Sequence, residues 1–376
     1  MKKLKLMTIV GTRPELIRLS EVIKKADMFF EHVFVHTGQN YDERLNDIFY
    51  GDLELRRPDI YMNAVGADLG ETIGNIIAKS YAVLIEQSPD ALLILGDTNS
   101  ALSAIAAKRL KVPIFHMEAG NRCFDENLPE ETNRRIVDHI ADVNLPYTEH
   151  ARRYLLSEGI KKEFIFVTGS PMREVIQRQQ GKIDKSTVLQ QLDLKAKGYI
   201  LLSAHREENI DIRNNFYSLM DAVNELAATY NIPIIYSVHP RSMRFINERG
   251  FKFHPLVRQL PPFSFTDYSR LMKDAFCVVS DSGTLPEESA ISSFPAVCIR
   301  TSTERPEAID KGCFIIGGII KDTLLQSVEM AVGFSHDNDC GCVVPDYEES
   351  LASSVVVRII QSYTGIVNDK VWGKTL

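Results

Sequence analysis

Three short stretches of the chain place an arginine, a glycine turn or paired carboxylates directly after an apolar run. They read Gly-Thr-Arg-Pro-Glu at 11–15, Asp-Ser-Gly-Thr-Leu-Pro-Glu-Glu at 281–288 and Thr-Glu-Arg-Pro-Glu at 303–307. At such a strand-to-helix turn, backbone N–H groups, the helix dipole and a guanidinium such as that of Arg13 converge on one anion. Two phosphate-binding turns far apart in the sequence predict a pyrophosphate ligand held between two sheet domains.

Carboxylates at predicted strand ends form a second group of candidates. Asp97 ends the run at 92–97 and could act as a helix N-cap, as an acid/base group or as both. Glu118 follows an apolar strand, where a carboxylate is unfavourable unless it is paired or poised for proton transfer, so we favour a catalytic role. Glu130 and Glu131 stand in the first turn of a predicted helix, where the helix dipole favours acidic residues. For Glu131 we prefer that structural role.

Two histidines also end predicted strands in the second half of the chain. His205 lies in Ser-Ala-His-Arg-Glu-Glu-Asn at 203–209, and His239 ends an apolar run and precedes a proline. One such histidine is commonly structural, but two at strand ends of one domain indicate a shared cleft. His116 lies inside an apolar strand and is interpreted as structural.

The composition limits the class of partner. The chain has 376 residues and a net charge of -7, with 44% hydrophobic and 25% charged residues. There is no broad basic field for nucleic acid or anionic lipid, so we expect a small anionic ligand and neither nucleic acid nor membrane as a partner. The run at 4–10 only faintly resembles a signal peptide and no cleavage site follows it, so we expect a cytoplasmic protein.

The sequence predicts neither a metal site nor a cofactor. It contains no His-Glu-x-x-His and no cysteine pair at the spacing of a zinc site. The dinucleotide fingerprint and the nucleotide-triphosphate P-loop are absent too, which removes support for hydride chemistry or ATP hydrolysis. The cysteines at 123, 277, 298, 313, 340 and 342 lack paired spacing, and we expect free thiols.

Apolar runs that alternate with amphipathic stretches predict an α/β fold with two doubly wound domains. The predicted strands are 4–10, 33–36, 91–95, 113–117, 143–146 and 164–167, then 199–203, 232–238, 275–280, 296–299 and 314–316. The predicted helices are 15–25, 69–87, 100–110, 130–140 and 149–158, then 212–229, 265–273, 285–292, 306–310, 322–332 and 348–363.

A polar stretch at 177–184 is interpreted as the region that links the domains. We therefore expect an N-terminal domain at 1–176 and a C-terminal domain at 177–358. The last segment, 359–376, is expected to pack back on the first domain as a helix.

Seven motifs stand in a fixed order along the chain. They are the stretch at 11–15, Thr-Gly-Gln at 37–39, Gly-Asp-Thr at 96–98, His-Met-Glu-Ala-Gly at 116–120, Pro-Glu-Glu-Thr-Asn-Arg at 129–134, Asp-Ser-Gly at 281–283 and the stretch at 303–307. In this order they resemble the non-hydrolysing UDP-N-acetylglucosamine 2-epimerase family over nearly the whole chain. The resemblance implies a glycosyltransferase-B-like fold with UDP in the cleft between two Rossmann-like domains, the C-terminal one binding UDP. It also implies a cofactor-free enzyme that is usually a homodimer.

Carried over position by position, the resemblance implies roles for particular residues. Asp97, Glu118 and Glu130 would be the acid/base carboxylates of the first domain, with His205 opposite them in the second. Arg134 would support the carboxylate loop. The residues expected to bind the nucleotide and its diphosphate are Arg13, Arg18, His239, Ser282, Gly283, Thr284, Glu288 and Arg305.

Several positions depart from the family pattern. The usual lysine five residues after the first arginine is Arg18, and the usual Asp-Ser-Gly-Gly-x-Gln-Glu-Glu turn has Thr284 at its fourth position. The family's Gly-Gln-His-Arg-Glu reads Gly-Gln-Asn-Tyr-Asp at 38–42, and its His-Arg-Arg-Glu-Asn reads His-Arg-Glu-Glu-Asn at 205–209. In bacterial members those two segments build a second, activating UDP-N-acetylglucosamine site. The loops at 121–125 and 282–286 resemble the branch that converts UDP-2-acetamido-2,6-dideoxy-L-talose to UDP-N-acetyl-L-fucosamine for capsule or O-antigen synthesis.

The implied chemistry restricts the mechanism. The C2 hydrogen of an acetamido sugar is not next to a carbonyl, so its simple removal and return would be very slow. A cofactor-free route expels UDP from C1 while a base removes the C2 proton, and then reverses both events on the other face of the sugar. The alternatives that stay open are UDP-N-acetylglucosamine as substrate, a hydrolysing epimerase, a glycosyltransferase and a non-catalytic nucleotide-sugar sensor.

Overall fold

The computed structural model describes residues 3–38, 50–126, 128–336, 343–348 and 351–374. The chain divides into two compact units. The N-terminal unit comprises Met1–Arg178 together with Asp346–Leu376, and the C-terminal unit comprises Gln179–Pro345. The polar stretch at 177–184 is helical, and the division falls inside that helix.

The N-terminal unit is built on a six-stranded sheet in the order β3-β2-β1-β4-β5-β6. All of its strand pairs are parallel. The central strands are buried apolar runs, as strands covered by helices on both faces must be. The strands are β1 (Lys5–Val10), β2 (Glu31–His36), β3 (Ile60–Tyr61), β4 (Ala91–Leu95), β5 (Ile114–Met117) and β6 (Val143–Leu145).

Helices connect these strands and cover the sheet. Asp68 and Thr148 cap two of them by accepting hydrogen bonds from the backbone N–H groups of Glu71 and Ala151. The helices are α1 (Arg13–Phe29), α2 (Leu69–Gln87), α3 (Ser103–Arg109), α4 (Pro129–Ile140), α5 (Glu149–Ser157) and α6 (Pro171–Lys185), with 3-10 turns at Asn99–Leu102, Lys162–Phe164 and Pro345–Tyr347. The division between the units falls inside α6.

The C-terminal unit contains a second six-stranded parallel sheet, in the order β12-β11-β10-β7-β8-β9. Its strands are β7 (Ile200–Ser203), β8 (Ile234–Ser237), β9 (Val257–Leu260), β10 (Cys277–Ser280), β11 (Ala296–Cys298) and β12 (Ile315–Ile316). Its further helices are α7 (Val188–Gln191), α8 (Glu207–Ile210), α9 (Arg213–Tyr230), α10 (Pro240–Arg249), α11 (Phe265–Asp274), α12 (Leu285–Ser292), α13 (Pro306–Asp310) and α14 (Lys321–His336). The predicted α/β class with two doubly wound parallel sheets is confirmed.

The C-terminal helix α15 (Ala352–Lys370) belongs to the N-terminal unit, where it packs against α1. At its start, the backbone N–H and the hydroxyl of Ser353 donate hydrogen bonds to the two oxygens of the buried Glu174, at 2.9 and 2.7 Å. The segment that groups with the N-terminal unit begins at Asp346.

Local pattern misjudged several elements, and helices α6, α7 and α8 were not predicted. The predicted strand at 164–167 is wrong, since the chain there forms a 3-10 turn and only one isolated bridge, between Asn144 and Ile165. The edge strands β3 and β9 were not predicted because they are short and only partly buried, so they carry no apolar run. Helix α10 was also missed, since it is polar over most of its length.

Both sheets have the Rossmann order, in which the chain leaves the first strand on one side and the fourth strand on the other. Ligands of such sheets bind beyond the carboxyl ends of the strands at this point of reversal. In the N-terminal unit the point lies between β1 and β4, and in the C-terminal unit it lies between β7 and β10. No helix among the described residues is long and apolar enough to cross a membrane.

Candidate active site

In the N-terminal unit, the turns that follow β1 and β4 are tied together by one carboxylate. Glu15 accepts hydrogen bonds from the Gly11 backbone N–H at 3.1 Å and from the hydroxyl groups of Thr12, Thr98 and Ser100 at 2.7, 3.0 and 2.5 Å. Burial raises the pKa of this carboxyl group, and the four hydrogen bonds oppose that rise. Glu15 therefore joins the turn before Arg13 to the turn after Asp97.

The backbone of Glu118, directly after β5, has a conformation that residues other than glycine rarely adopt. Its φ is 63°, in the left-handed region, and only 4% of the residue is exposed. Such a backbone conformation raises the free energy by roughly 1 kcal/mol and is concentrated at functional sites. The conformation directs the carboxylate to Arg18 of α1, whose Nη1 donates a hydrogen bond to Oε2, while Asn121 Nδ2 lies 3.4 Å from Oε1.

The Glu118 carboxylate also lies against the turn that carries Asp97. A Cβ atom built on Gly96 would stand 3.4 Å from Glu118 Oε2, and Gly96 has a φ of 72°. This close approach and the positive φ both favour glycine at position 96. The structure thus brings the Asp97 and Glu118 turns together at the carboxyl edge of β4 and β5.

Arg134 of α4 holds the Asp97 carboxylate. Its Nη2 donates a hydrogen bond to Asp97 Oδ2, and its Nη1 donates to Glu131 Oε2 at 3.2 Å and to the Asn121 carbonyl oxygen at 3.3 Å. The guanidinium is buried, whereas about a fifth of the Asp97 side chain is exposed. Arg134 therefore supports the carboxylate loop and leaves part of Asp97 accessible to a ligand.

The two neighbouring glutamates of α4 differ in their surroundings. Glu130 is half-buried in the first turn of the helix. Glu131 is fully buried and forms ion pairs with Arg134 and with Arg135, the latter at 3.0 Å. This environment agrees with a structural role for Glu131.

A buried network beneath the Glu118 loop was not anticipated from the sequence. Asp138 of α4 lies 2.9 Å from His116 Nδ1 and 2.7 Å from Arg122 Nη1, and it accepts hydrogen bonds from the Gly120 backbone N–H. His116 Nε2 lies 2.8 Å from the Gly96 carbonyl oxygen. The pKa of Asp138 is lowered, because His116 and Arg122 together outweigh the effect of its burial. The network fixes the loop on both sides of Glu118.

In the C-terminal unit, Asp281 and His205 meet where β10 and β7 end. Asp281 accepts hydrogen bonds from the backbone N–H groups of His205 and Arg206 at 2.9 and 3.0 Å. Its Oδ1 lies 3.0 Å from His205 Nδ1, and 37% of the His205 side chain is exposed. The sequence placed Asp281 in a phosphate-binding turn without a role of its own, although its position directly after an apolar strand was a signal comparable to that of Asp97.

His239 lies beside His205, as the two strand-end positions predicted. The two ring centroids are 5.8 Å apart. His239 is also the N-cap of α10, since its Nδ1 accepts a hydrogen bond from the Arg241 backbone N–H at 3.3 Å. His239 combines a place in this cluster with a structural function.

The turn after β10 presents hydroxyl groups and a glycine. The hydroxyls of Ser282 and Thr284 are 2.9 Å apart, and the Ser282 oxygen accepts a hydrogen bond from the Thr284 N–H at 3.3 Å. A Cβ atom on Gly283 would lie 3.5 Å from Arg206 Nη2. The turn thus has a guanidinium beside it, as an anion-binding turn requires.

Arg305 and Glu288 are both buried in the C-terminal unit. Arg305 donates hydrogen bonds from Nε and Nη2 to Glu287 Oε2, each at 3.3 Å, and only 2% of Arg305 is exposed. Glu288 is 8% exposed in the first turn of α12.

Several predicted site residues therefore meet within a unit. In the N-terminal unit Arg18 pairs with Glu118 and Arg134 with Asp97, while Arg13 begins α1 beside the turn that Glu15 holds. In the C-terminal unit His205 meets His239, and Ser282 meets Thr284. Residues 39–42, which include part of a departing motif, lie outside the described residues, as do Cys340 and Cys342. Within the described part of the chain, no group of three or more His, Cys, Asp or Glu side chains is arranged to hold a metal ion.

Comparisons with known proteins agree with this geometry. The sequence profile of the family described as UDP-N-acetylglucosamine 2-epimerase matches residues 23–361. The chain is 46% identical to the solved UDP-N-acetylglucosamine 2-epimerase of Rickettsia bellii, with a TM-score of 0.91 over 99% of this chain and 100% of that one. It is 31% identical to the Methanocaldococcus jannaschii enzyme solved with UDP-GlcNAc and UDP, with a TM-score of 0.88 over 96% and 100% of the two chains. A Pseudomonas aeruginosa relative, UDP-2,3-diacetamido-2,3-dideoxy-D-glucuronate 2-epimerase, is 30% identical over 89% of this chain and 94% of its own.

Proposed function

Because the chain belongs to the non-hydrolysing UDP-N-acetylglucosamine 2-epimerase family, we propose that it converts UDP-2-acetamido-2,6-dideoxy-L-talose to UDP-N-acetyl-L-fucosamine. The protein is an isomerase that epimerises C2 of a UDP-sugar. The single observation that carries a catalytic assignment is Glu118, a buried carboxylate in a left-handed conformation, paired with Arg18 at the carboxyl edge of the sheet.

The proposed reaction begins with elimination. A carboxylate of the N-terminal unit, among Asp97, Glu118 and Glu130, removes the C2 proton while the bond from C1 to the diphosphate oxygen breaks. The product is a 2-acetamidoglycal and UDP. Re-addition of UDP to C1, with a proton delivered to the opposite face of C2 by a different group, completes the inversion.

The ion pairs of the N-terminal unit support this use of carboxylates. A guanidinium beside a buried carboxylate favours its ionised form, and only the ionised form accepts a proton. Glu118 has Arg18 and Asp97 has Arg134 in this position. These ion pairs hold the two candidate bases in fixed positions at the carboxyl edge of the sheet.

The leaving diphosphate needs stabilisation of its negative charge. We assign this to Arg13, Ser282, Gly283 and Thr284, with His205 as the group that protonates or steadies the departing oxygen. His239, Glu288 and Arg305 are assigned to the nucleotide.

The choice of sugar rests on the departures from the family pattern. Glu207 stands where the family has its second arginine, and it accepts a hydrogen bond from Arg241 Nη1 at 2.7 Å. The basic residue of the activating site is thus replaced by an acidic one. An arginine at position 207 would instead face Arg241. Among the relatives, the name of the Pseudomonas aeruginosa protein gives a UDP-sugar other than UDP-N-acetylglucosamine, so the substrate varies at this level of identity.

Two parallel incubations in D2O test the proposal, one with the L-talose nucleotide and one with UDP-N-acetylglucosamine, each followed by proton NMR at C2. We expect inversion of the L-talose nucleotide with deuterium at C2, and much slower inversion of UDP-N-acetylglucosamine. If only UDP-N-acetylglucosamine is inverted, the proposed substrate is wrong. If C2 is inverted without gaining deuterium, the proposed elimination is wrong. Accumulation of free UDP during turnover would identify a hydrolysing enzyme.

Two variants, repeated in the same incubations, test the role of Glu118. Glu118→Gln should lose deuterium incorporation at C2, because the amide accepts no proton. Glu126→Gln is the matched control, since Glu126 belongs to the same loop and 71% of its side chain is exposed. Equal loss in both variants would count against a specific role for Glu118.

We expect the active protein to be a cytoplasmic homodimer that supplies a capsule or O-antigen precursor.

A further inference from the structure

Asp281 is a buried carboxylate to which the proposed reaction gives no role. It follows β10 directly, and none of its surface is exposed. Besides the two backbone N–H groups of His205 and Arg206, Asn209 Nδ2 donates a hydrogen bond to its Oδ2 at 3.2 Å. These three donors contact Oδ2, and the His205 backbone N–H also lies 3.1 Å from Oδ1, so both carboxylate oxygens are fixed relative to the turn that carries His205.

The remaining contact of Asp281 is with the His205 ring. Burial alone would raise the pKa of Asp281, but His205 and the backbone N–H groups lower that pKa to about 2. The group is therefore an ionised carboxylate at neutral pH, and an ionised carboxylate only accepts hydrogen bonds. With Oδ1 only 3.0 Å away, His205 Nδ1 must carry a hydrogen.

We propose that Asp281 is a positioning residue that fixes His205 with Nδ1 protonated and so reserves Nε2 for proton exchange with the departing diphosphate. The inference rests on the proposed function, since it specifies how His205 acts in that reaction. When the C1–O bond breaks, its electron pair stays on the diphosphate oxygen. That oxygen takes the Nε2 proton of a His205 ring that is protonated on both nitrogens, and the ring is left neutral with its hydrogen on Nδ1. The C2–H electron pair forms the C1–C2 double bond, and the C2 proton goes to the carboxylate base. Re-addition returns the proton from the diphosphate oxygen to Nε2.

The other charged groups around this pair leave the assignment intact. His239 faces the His205 ring from the start of α10, and its Nδ1 accepts a hydrogen bond, as a neutral imidazole does. Tyr268 of α11 has its pKa raised by burial, by Glu288 and by Asp281, so it remains a neutral phenol. Burial raises the pKa of Cys298 in β11 to about 11. Arg206 lies on the same turn as His205, and its guanidinium only donates hydrogen bonds.

The groups farther along this edge are also paired. Arg300 donates to Glu304 at 2.9 Å, and its Nε lies 3.6 Å from Glu208. Glu304 Oε2 would lie 3.8 Å from a Cβ atom on Gly283. Asp281 is thus the carboxylate that contacts the His205 ring, among the groups that the structure describes here.

Asp281→Asn tests the inference through kinetics. Its side-chain amide would face Nδ1 and favour the opposite tautomer, while its oxygen could still accept the backbone N–H groups. We expect kcat to fall by on the order of 100-fold or more, KM to change by less than about threefold, and the pH above which kcat declines to move lower. An unchanged kcat and pH profile would overturn the inference. Asp142→Asn is the matched control, because Asp142 is a buried carboxylate that accepts from Lys108 and from the Ile114 N–H, and its variant should keep the wild-type pH profile.

A spectroscopic measurement on the wild type decides the matter even if Asp281→Asn does not fold. Long-range nitrogen–proton NMR on histidine-labelled protein reports which ring nitrogen is protonated, and His205→Gln identifies the His205 signals. We expect Nδ1 to stay protonated when the ring is neutral, and protonation of Nε2 alone would overturn the inference. A wild type that epimerises neither nucleotide would overturn the proposed function instead, whereas this tautomer is measured without any substrate.

Discussion

Arg18 donates a hydrogen bond to Glu118, a residue 100 positions further along the chain, and both side chains are almost completely buried. Arg18 lies in the first helix and Glu118 follows the fifth strand, so the contact crosses the carboxyl edge of the sheet. The resemblance to the family implies that Arg18 binds the substrate. Its contact with Glu118 gives it a second effect, on the candidate base.

Removing the Arg18 charge should lower activity by way of Glu118. In Arg18→Met the buried carboxylate loses its cation and gains a proton more readily, so we expect kcat to fall about 100-fold. Arg18→Lys keeps the charge and should retain most of the activity. The rates can be measured by NMR at C2, with Arg153→Met on the exposed face of α5 as the control. Equal activity of Arg18→Met and wild type would contradict this role.

Glu15 should tolerate an amide better than a methyl group. In Glu15→Gln the oxygen can accept the Gly11 N–H while the amide donates to the Ser100 hydroxyl, so the two turns stay joined. In Glu15→Ala both turns lose their shared acceptor, and we expect the free energy of unfolding to fall by about 2 kcal/mol or more, together with kcat/KM. Chemical denaturation and initial rates measure the two effects. Equal damage in both variants would show that the negative charge itself is required.

The same position gives a pH-dependent prediction. Because burial raises the pKa of Glu15 above its ordinary value of 4.5, the folded protein binds this proton more tightly than the unfolded chain. The contribution of Glu15 to stability therefore declines as the pH rises above that ordinary value. The stability of Glu15→Gln relative to wild type should accordingly improve between about pH 4 and neutral pH, as measured by urea denaturation. A constant difference would contradict the raised pKa.

Gly120, two residues after Glu118, should be far less tolerant of substitution than Gly159. Both have positive φ, 78° and 85°, but a Cβ atom on Gly120 would lie 2.4 Å from the Ala151 carbonyl oxygen, whereas nothing lies within 4 Å of one on Gly159. Gly159→Ala should lower the free energy of unfolding by about 1 kcal/mol through backbone strain alone. Gly120→Ala should lower it by more than about 3 kcal/mol, because α5 and the Glu118 loop must move apart. Thermal or chemical denaturation checks the comparison, and similar losses would contradict the close packing.

The contribution of Asp281 to stability should depend on pH in the opposite direction to that of Glu15. Its pKa falls from 3.8 to about 2 on folding, so its contribution of about 2 kcal/mol is fully present above the unfolded value and is lost as the pH falls towards about 2. The difference in stability between wild type and Asp281→Asn should therefore shrink when denaturation is repeated at about pH 3 instead of pH 6. A difference that stays constant over this range would contradict the lowered pKa.

The sequence by itself determined the class of fold and the positions of the candidate site residues along the chain. Buried parallel strands have to be apolar along their length, and the polar residues that end them stand out, which identified Asp97, Glu118, His205 and His239. The turns at 11–15 and 281–283 could also be predicted, because a local backbone requirement selects their residues. Edge strands β3 and β9 escaped prediction, because partial exposure leaves them without that apolar signal.

Only the tertiary structure decided which side chains meet. Arg18 pairs with Glu118, Asp138 with His116 and Arg122, and Asp281 with His205, and each of these contacts joins elements that are far apart in the sequence or on different strands. Such pairings depend on the order of strands in the sheet and on the close approach of neighbouring turns. Local hydrophobic periodicity encodes neither, so the sequence gives single candidate residues and the fold determines which side chains they contact.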